Sequence, residues 1–446
     1  MTEQATAGPV LAPVRGRDRI DVLDALRGFA ILGIFYVNLP AMAGPVSAMM
    51  GNIRAMGWSP ADQTTWLAMQ TILEGTQRGM LELLFGAGLM VTFAKAMNPD
   101  GPVAVADLYI RRNLWLLAFG LINIFLLLWP GDILHVYALC ALALFPFRKL
   151  RVRWLLVIGL LLATVQFGGA AFQYVDRTEM QATHAAAVEK QAKGAKLTVE
   201  ETKAVKEWQE KLDRINGKEP MMQKLDKDEA KARSGSFGDY ASFWISTYIL
   251  FVGKGSLLGG IAEAFGTMLI GIALWKLRFI QGGRTAREYL VVMLLAYGFG
   301  LIARYVGGLE RMTFLPGPKT IWMTGEYARI AVSIGHVALI NWLMQQGLGR
   351  KLLWPLLAAG QMAFTLYLMQ QVIGLHFLYS PLGLHLPTAP GWAYLFWLAS
   401  GVILFQLVLA NLWMRWFQSG PLEWAWRSLA YCRRQPFRRA RPATAD

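Results

Sequence analysis

Ten long apolar runs, separated by charged or Pro/Gly breaks, lie near residues 23–44, 79–97, 112–129, 132–147, 154–175, 253–275, 288–306, 321–343, 353–375 and 391–416. Each approaches the roughly 20 residues a helix needs to cross a hydrocarbon core. The pattern predicts an all-α, polytopic integral membrane bundle of about ten transmembrane helices. Two shorter apolar stretches, 62–78 and 240–252, fall below that length and read as interfacial helices. Each precedes a glycine-rich span with a Phe-Gly pair, Phe85-Gly86 and Phe265-Gly266, which raises the idea of two related halves of five spans.

Basic residues fix the expected orientation. With the N-terminus inside, Arg15, Arg17 and Arg19, then Arg111 and Arg112, then Arg148, Lys149, Arg151 and Arg153 all fall on the cytoplasmic side. So do Lys276, Arg278, Arg350, Lys351 and the tail arginines 433, 434, 438 and 439. The opposite orientation exports nearly all of them. Both termini are therefore expected to be cytoplasmic, in a multi-pass membrane protein. Met1 to Arg19 has no apolar core of its own, so the first span is expected to stay in the mature protein.

The predicted organisation is a cytoplasmic tail (1–19), an N-terminal transmembrane half (20–175), an extracytoplasmic polar insert (176–239), a C-terminal transmembrane half (240–417) and a basic cytoplasmic tail (418–446). The insert holds 13 basic and 13 acidic residues, and its Ala, Glu, Gln and Lys favour a solvated helical hairpin or a partly disordered segment.

Composition agrees with this picture. The chain is 55% apolar and 16% charged, with a mean hydropathy of +0.36, where soluble domains carry roughly 25% charged residues. A net charge of +15 would ordinarily raise nucleic-acid binding. Because the insert is neutral, however, the excess sits in short loops and the tail, and no nucleic-acid partner is expected. Cys140 lies in an apolar run and Cys432 in the basic tail; neither metal-ligand spacing nor a disulfide framework is present, and no metal is expected. Cys140 reads as a buried structural thiol.

Candidate chemistry comes from polar residues inside the spans, where an ionised side chain costs roughly 2.5–3.5 kcal/mol at mid-bilayer. At the outer level, Asp132 and His135 are three apart and share a helix face. Arg304, then Glu326 and Arg329, then Gln370 and Gln371 reach a similar depth on three further spans. Capping after Pro130-Gly131 and a functional role compete evenly for Asp132. For His135 the functional reading leads, because imidazole carries protons near neutral pH. His336 reads as an interhelical hydrogen-bonder. At the inner level, Asp24 and Arg27 share a face, Gly28 admits a close helix neighbour, and an arginine at that mouth could hold a phosphate as readily as it could pair with Asp24. Trp424 and Trp426 with the arginines after them look like an interfacial anchor.

Several stretches taken together carry a family resemblance: "LDALRGFAILGIFYVN" (23–38), "LLFGAG" (83–88), "WPGDILHVYAL" (129–139), "GQMAFTLYLMQ" (360–370) and "GPLEWAWR" (420–427). They resemble the YeiB-like bacterial membrane proteins, the family of domain of unknown function 418, from about residue 20 to about 430. The N-terminal half resembles transmembrane acyltransferases of the heparan-α-glucosaminide acetyltransferase type. That resemblance implies acyl transfer from cytoplasmic acyl-CoA to an acceptor across the membrane. It places a Leu-Asp-x-x-Arg-Gly motif on Leu23, Asp24, Arg27 and Gly28, and Gly-Asp-Ile-Leu on Gly131 to Leu134. Where many relatives carry a histidine in the third span, this chain has Asn123, which leaves His135 as the local candidate.

The leading expectation is a membrane-embedded O- or N-acyltransferase with acyl-CoA or acetyl-CoA as co-substrate. Phosphates would sit at Arg27 with Asp24 beside it, helped by Arg111 or Arg112. His135, oriented by Asp132, would act as the base, and Arg304 or Arg329, the latter beside Glu326, would stabilise the oxyanion. The acceptor would be a small molecule, a glycan or a lipid, with membrane lipids as surroundings and a homo-oligomer left open. The alternative is a polytopic transporter or proton-coupled exporter, since intramembrane His, Glu and Arg clusters also mark substrate and proton paths. A scaffold whose insert binds a partner is the third reading.

Overall fold

The computed structural model describes residues 19–93 and 103–439. Arg15 and Arg17, the end of the expected second span at 94–97 and the last tail residues lie outside them. Every regular element of the described residues is helical apart from one isolated bridge, Phe417 with Arg438.

The N-terminal half comprises α1 (Asp21–Gly33), α2 (Phe35–Ala43), the short α3 (Val46–Met49), α4 (Pro60–Ile72), α5 (Thr76–Phe93), α6 (Val103–Phe125), α7 (Leu134–Leu144) and α8 (Val152–Ala192). Then come α9 (Val199–Ile215), α10 (Pro220–Ser234), α11 (Phe237–Gly253), α12 (Ser256–Lys276), α13 (Ala286–Met312), α14 (Thr320–Gln345), α15 (Gly347–Gln361), α16 (Ala363–Gln371), α17 (Trp392–Trp416) and α18 (Pro421–Ala430). Four starts are written into the sequence as reciprocal capping boxes: Ser59 with Asp62, Thr198 with Glu201, Ser236 with Asp239, and Thr285 with Glu288. In each, the side chains satisfy main-chain N–H groups that the first helical turn leaves open.

Six segments are long and apolar enough to cross a membrane: α1 with α2, α8, α12, α13, α14 and α17. The bent pair α15–α16, turned by 73°, makes a seventh if it counts as one span. The other three expected crossings fall on α5, α6 and α7. Of these, α7 is only 11 residues long, and Arg78 and Glu82 interrupt α5. The stretches 62–78 and 240–252 correspond to α4 and α11, although α5 begins within the first of them.

The insert departs from expectation in two ways. First, α8 runs unbroken for 41 residues through position 175, so the membrane helix itself carries the chain into the polar segment. Second, α10 is docked. Glu229 and Arg233 form a buried pair, Arg233 donates to the Met42 carbonyl at 2.8 Å, and Glu229 accepts the Val46 N–H at 2.7 Å. An i,i+4 acid–base pair has the same sequence signature in water and in a seam, so its burial was not legible beforehand.

Close helix approach positions the site. α1 and α15 cross where a Cβ on Gly28 would run into the Leu356 carbonyl and one on Gly360 into that of Asp24. This small-residue contact lets backbones meet without side chains between them. The core extends through Leu26, Phe35, Met80, Tyr137, Met268 and Leu366, all buried.

Candidate functional site

A cavity of about 250 Å³ opens among α1, α5, α6, α7, α16 and α18. Its mouth gathers Arg19, Arg27, Arg112 and Arg427 against two acids, Asp24 and Glu423. Asp24 is 1% exposed and is shared: it pairs with Arg19, accepts from Arg27 at 3.3 Å and from the Gln361 amide at 3.4 Å. Arg112 stacks on Trp426, 4.9 Å from the ring centre, and the indole N–H donates to the Arg112 carbonyl at 2.8 Å.

Glu423 is spoken for by the break between α15 and α16. That bend leaves main-chain N–H groups open within a span, where water cannot satisfy them. Glu423 accepts from Phe364 N at 2.6 Å, Thr365 N at 3.2 Å and the Thr365 hydroxyl at 2.5 Å. Burial raises its carboxyl above the usual range, and burial likewise brings Arg427 down to about 10, which leaves the guanidinium charged at neutral pH. α18, expected as an interfacial anchor, therefore also forms a wall of the cavity through Trp426 and Arg427.

Below the mouth the lining turns apolar, with Ile31, Leu84, Phe85 and Leu116, and the far end is closed by Ile133, Leu134, Tyr137 and Tyr367. There the Gly-Asp-Ile-Leu turn begins. The Tyr367 hydroxyl accepts the Ile133 N–H at 3.3 Å and donates to Asp132 Oδ1 at 3.4 Å. Asn123 donates to the same oxygen at 2.7 Å. Asp132 Oδ2 takes both the His135 main-chain N–H at 2.9 Å and His135 Nδ1 at 2.8 Å. So Asp132 caps the start of α7 and orients the imidazole at once. α6 can lie against this turn because residue 120 is glycine; a Cβ there would stand 2.5 Å from His135 N and 2.9 Å from Asp132 Oδ2.

His135 is 5% exposed, edge-on to the Tyr248 ring at 6.0 Å. It does not line the cavity; Asp132 and Tyr367 stand between them. With Nδ1 held by Asp132, Nε2 is the nitrogen that points away.

The remaining candidates gather elsewhere. Arg329 sits in a buried network that the sequence reading had only half assembled. It pairs with Glu326 at 2.8 Å, Glu82 at 2.8 Å and Glu263 at 3.2 Å, and donates to the Thr267 hydroxyl at 2.8 Å. Arg78 completes it through Glu263 at 2.6 Å and Glu82 at 3.5 Å. Arg78, Glu82 and Glu263 were missed, although each is a charge inside an apolar run. Arg304 caps the end of α4, donating to the carbonyls of Gln70 (2.6 Å), Thr71 (2.9 Å) and Glu74. His336 braces the same junction, between the Tyr297 hydroxyl at 2.7 Å and the Ile72 carbonyl at 3.2 Å. Neither Arg304 nor Glu326 and Arg329 meets His135; Arg304 is held on three carbonyls, and all three nitrogens of the Arg329 guanidinium are engaged. Gln370 donates to the Ile31 carbonyl and Gln371 to that of Tyr367. At the inner level Arg111 turns away, to Asp107 at 2.7 Å and Cys432 Sγ at 3.0 Å, while Arg112 joins the mouth.

The chain is similar to several known sequences. Residues 274–433 match the family described as a protein of unknown function (DUF418). Over 445 aligned residues the chain is 29% identical to the uncharacterized protein YxaH of Bacillus subtilis, covering 96% of this chain and 98% of the relative. It is 26% identical to the uncharacterized protein YeiB of Escherichia coli, covering 92% and 96% respectively. A 39.9 kDa uncharacterized protein of Bacillus acidopullulyticus is 25% identical over 95% of this chain. No solved structure matches. The apolar helices and the end-to-end likeness to bacterial relatives make this a bacterial-type membrane protein, similar along most of its length to YxaH and YeiB and, over residues 274–433, to the DUF418 family.

Proposed function

We propose that the protein is a membrane-embedded acyltransferase that takes acyl-CoA from the cytoplasm and acylates an acceptor on the extracytoplasmic side. One observation carries this reading: an arginine-rich mouth leads through an apolar cavity to a tyrosine bonded to the Asp132–His135 pair. Four guanidinium groups facing two acids suit the phosphates of a CoA nucleotide. Apolar walls of this size suit a pantetheine arm rather than a whole nucleotide. The thioester would supply the activated acyl carbon. Asp132 holds the imidazole tautomer, and His135 Nε2 takes the proton from the acceptor hydroxyl or amine. The acyl carbon–sulfur bond breaks and the acyl–oxygen or acyl–nitrogen bond forms; the departing thiolate takes its proton from water at the cavity mouth, and the His135 imidazolium returns the acceptor's proton to water on its own side. Arg304, Glu326 and Arg329 hold the bundle together in this scheme.

The same reading carries the finer topology. α5, α6 and α7 supply three crossings beyond the seven, giving ten, with both termini cytoplasmic in the bacterial inner membrane. The arginine mouth then opens inward, as a cytoplasmic donor requires.

The test is release of free CoA from acetyl-CoA by purified protein supplied with bacterial envelope fractions, with His135→Ala as control. Wild-type release should exceed the variant's by about 100-fold or more; equal release removes the assignment. The buried Arg78–Glu82–Glu263–Glu326–Arg329 network favours a second reading, proton-coupled transport. Flux driven by a pH gradient in proteoliposomes without any acyl donor separates the two.

A further inference from the structure

A second and larger cavity, about 630 Å³, lies at the opposite end of the bundle, between the polar insert and the loop that joins α13 to α14. Its basic side chains come from three separate parts of the chain: Arg177 on α8, Lys211 and Arg214 on α9, and Arg311 and Lys319 beside the α13–α14 loop. Glu74 is the acid that faces them. Three of these cations have polar partners: Arg214 makes a bidentate pair with Glu219 at 2.8 and 3.0 Å, Lys319 bonds the Glu310 carbonyl and the Thr313 hydroxyl, and Arg177 donates one N–H to the Pro316 carbonyl at 3.5 Å. Among the described residues, Arg177, Lys211 and Arg311 have no carboxylate within ion-pair distance. Three cations converging from three elements on one hollow outnumber its single acid, Glu74, so an added anion there relieves their mutual repulsion.

The rest of the lining is mostly apolar, with four aromatic rings among aliphatic side chains. Trp66, Phe314, Trp322 and Trp392 contribute, and the Arg177 guanidinium stands 5.9 Å from the Trp322 ring centre. Flat aromatic faces pack against the apolar face of a pyranose, while Gln70 and Glu74 offer polar groups to hydroxyls. The volume falls in the usual range for small-molecule sites, roughly 300–1,000 Å³.

We infer that this cavity binds an anionic saccharide, a sugar carrying a phosphate or a carboxylate, with Arg177, Lys211 and Arg311 on the anion and the tryptophans on the ring. Under the acyltransferase reading it is where the acceptor docks; the binding itself stands without that reading. The docked insert then has a purpose, because α9 supplies part of the wall.

The experiment is calorimetric titration of purified full-length protein with glucose 1-phosphate, glucuronate, glucose and inorganic phosphate, in the absence of acyl donor. At least one of the two charged sugars should bind ten-fold or more tighter than both glucose and inorganic phosphate, and more weakly at high salt. Lys211→Glu and Arg177→Gln, both on helix surfaces of the insert, should each weaken that binding about ten-fold in protein that remains monodisperse. Trp322→Leu should weaken the sugar and leave inorganic phosphate unchanged. Parity of charged and neutral sugars, parity with inorganic phosphate, or indifference to the cation variants each overturns the assignment. Because no acyl donor is present, loss of CoA release and loss of sugar binding are read separately.

Discussion

Two charged regions sit inside the same bundle and differ in how completely their charges are answered. In the network around Arg329, every side of the guanidinium meets a carboxylate or the Thr267 hydroxyl, and the residue is 5% exposed. At the cavity mouth, Arg27 shares one carboxylate with Arg19, and a third of its side chain is still exposed. Both regions would be flagged by the rule that charge within a membrane marks function. The difference teaches that saturation, not charge, separates a structural knot from a place where a ligand can enter.

The largest expected effect breaks the knot. Arg329→Met leaves Glu82 and Glu263 with Arg78 alone and takes from Glu326 its ion-pair partner. Removing one partner of a buried ion network costs about 3–5 kcal/mol, so thermal unfolding in detergent should shift far down. Adding Glu82→Gln to that variant should recover part of the loss, since one uncompensated acid is gone. A variant that melts like wild type would show that the network is not structural.

Next in size is the mouth. Arg27→Gln and Arg427→Gln should each weaken acyl-CoA binding about 10- to 100-fold, the worth of a charge-assisted hydrogen bond of about 1.5–3 kcal/mol. Thermal stability should hardly move, because Asp24 keeps Arg19. If both variants bind acyl-CoA normally, the mouth is a basic lining and the contrast with Arg329 fails.

A third change acts on the seam between α6 and the Asp132 turn. Gly120→Ala places a methyl group against His135 N and Asp132 Oδ2, an overpacking worth about 1–3 kcal/mol. The measurement is thermal stability alongside CoA release; loss of release with a modest fall in stability ties the turn's geometry to activity.

How much of this could be read from sequence follows from what a single chain encodes. Spacing along a helix fixes who shares a face, so Glu326 with Arg329 was legible and the pair meets; Asp132 and His135 also meet, but because Asp132 precedes α7 and folds back over its first turn, not because they share a helix face. Hydropathy fixes depth along the membrane normal, which put Arg304 at the level of His135. It does not fix which neighbour a helix face turns toward, and Arg304 turns to the end of α4. Arg112 and Arg111 are adjacent and equivalent in sequence, yet only Arg112 meets Trp426. Trp424 and Trp426 read as a membrane anchor because tryptophans followed by arginines match an interfacial belt, and nothing local marks Glu423 beside them. Its partner, the broken start of α16, lies some sixty positions away and has no local signature.

The smallest expected effect tests whether the cavity and the imidazole communicate. Tyr367→Phe keeps the ring that closes the cavity and removes the hydroxyl that joins Ile133 N to Asp132 Oδ1. Asn123 and His135 still hold Asp132, so stability should fall by only about 0.5–1.5 kcal/mol. Acyl-CoA affinity should stay the same, because the arginines are untouched. If the hydroxyl steadies the Asp132–His135 pair against the cavity end, kcat for CoA release falls while KM for acyl-CoA holds. An unchanged kcat would place the His135 side of the wall out of contact with the donor, and the inner cavity would then be a binding site without chemistry at its end.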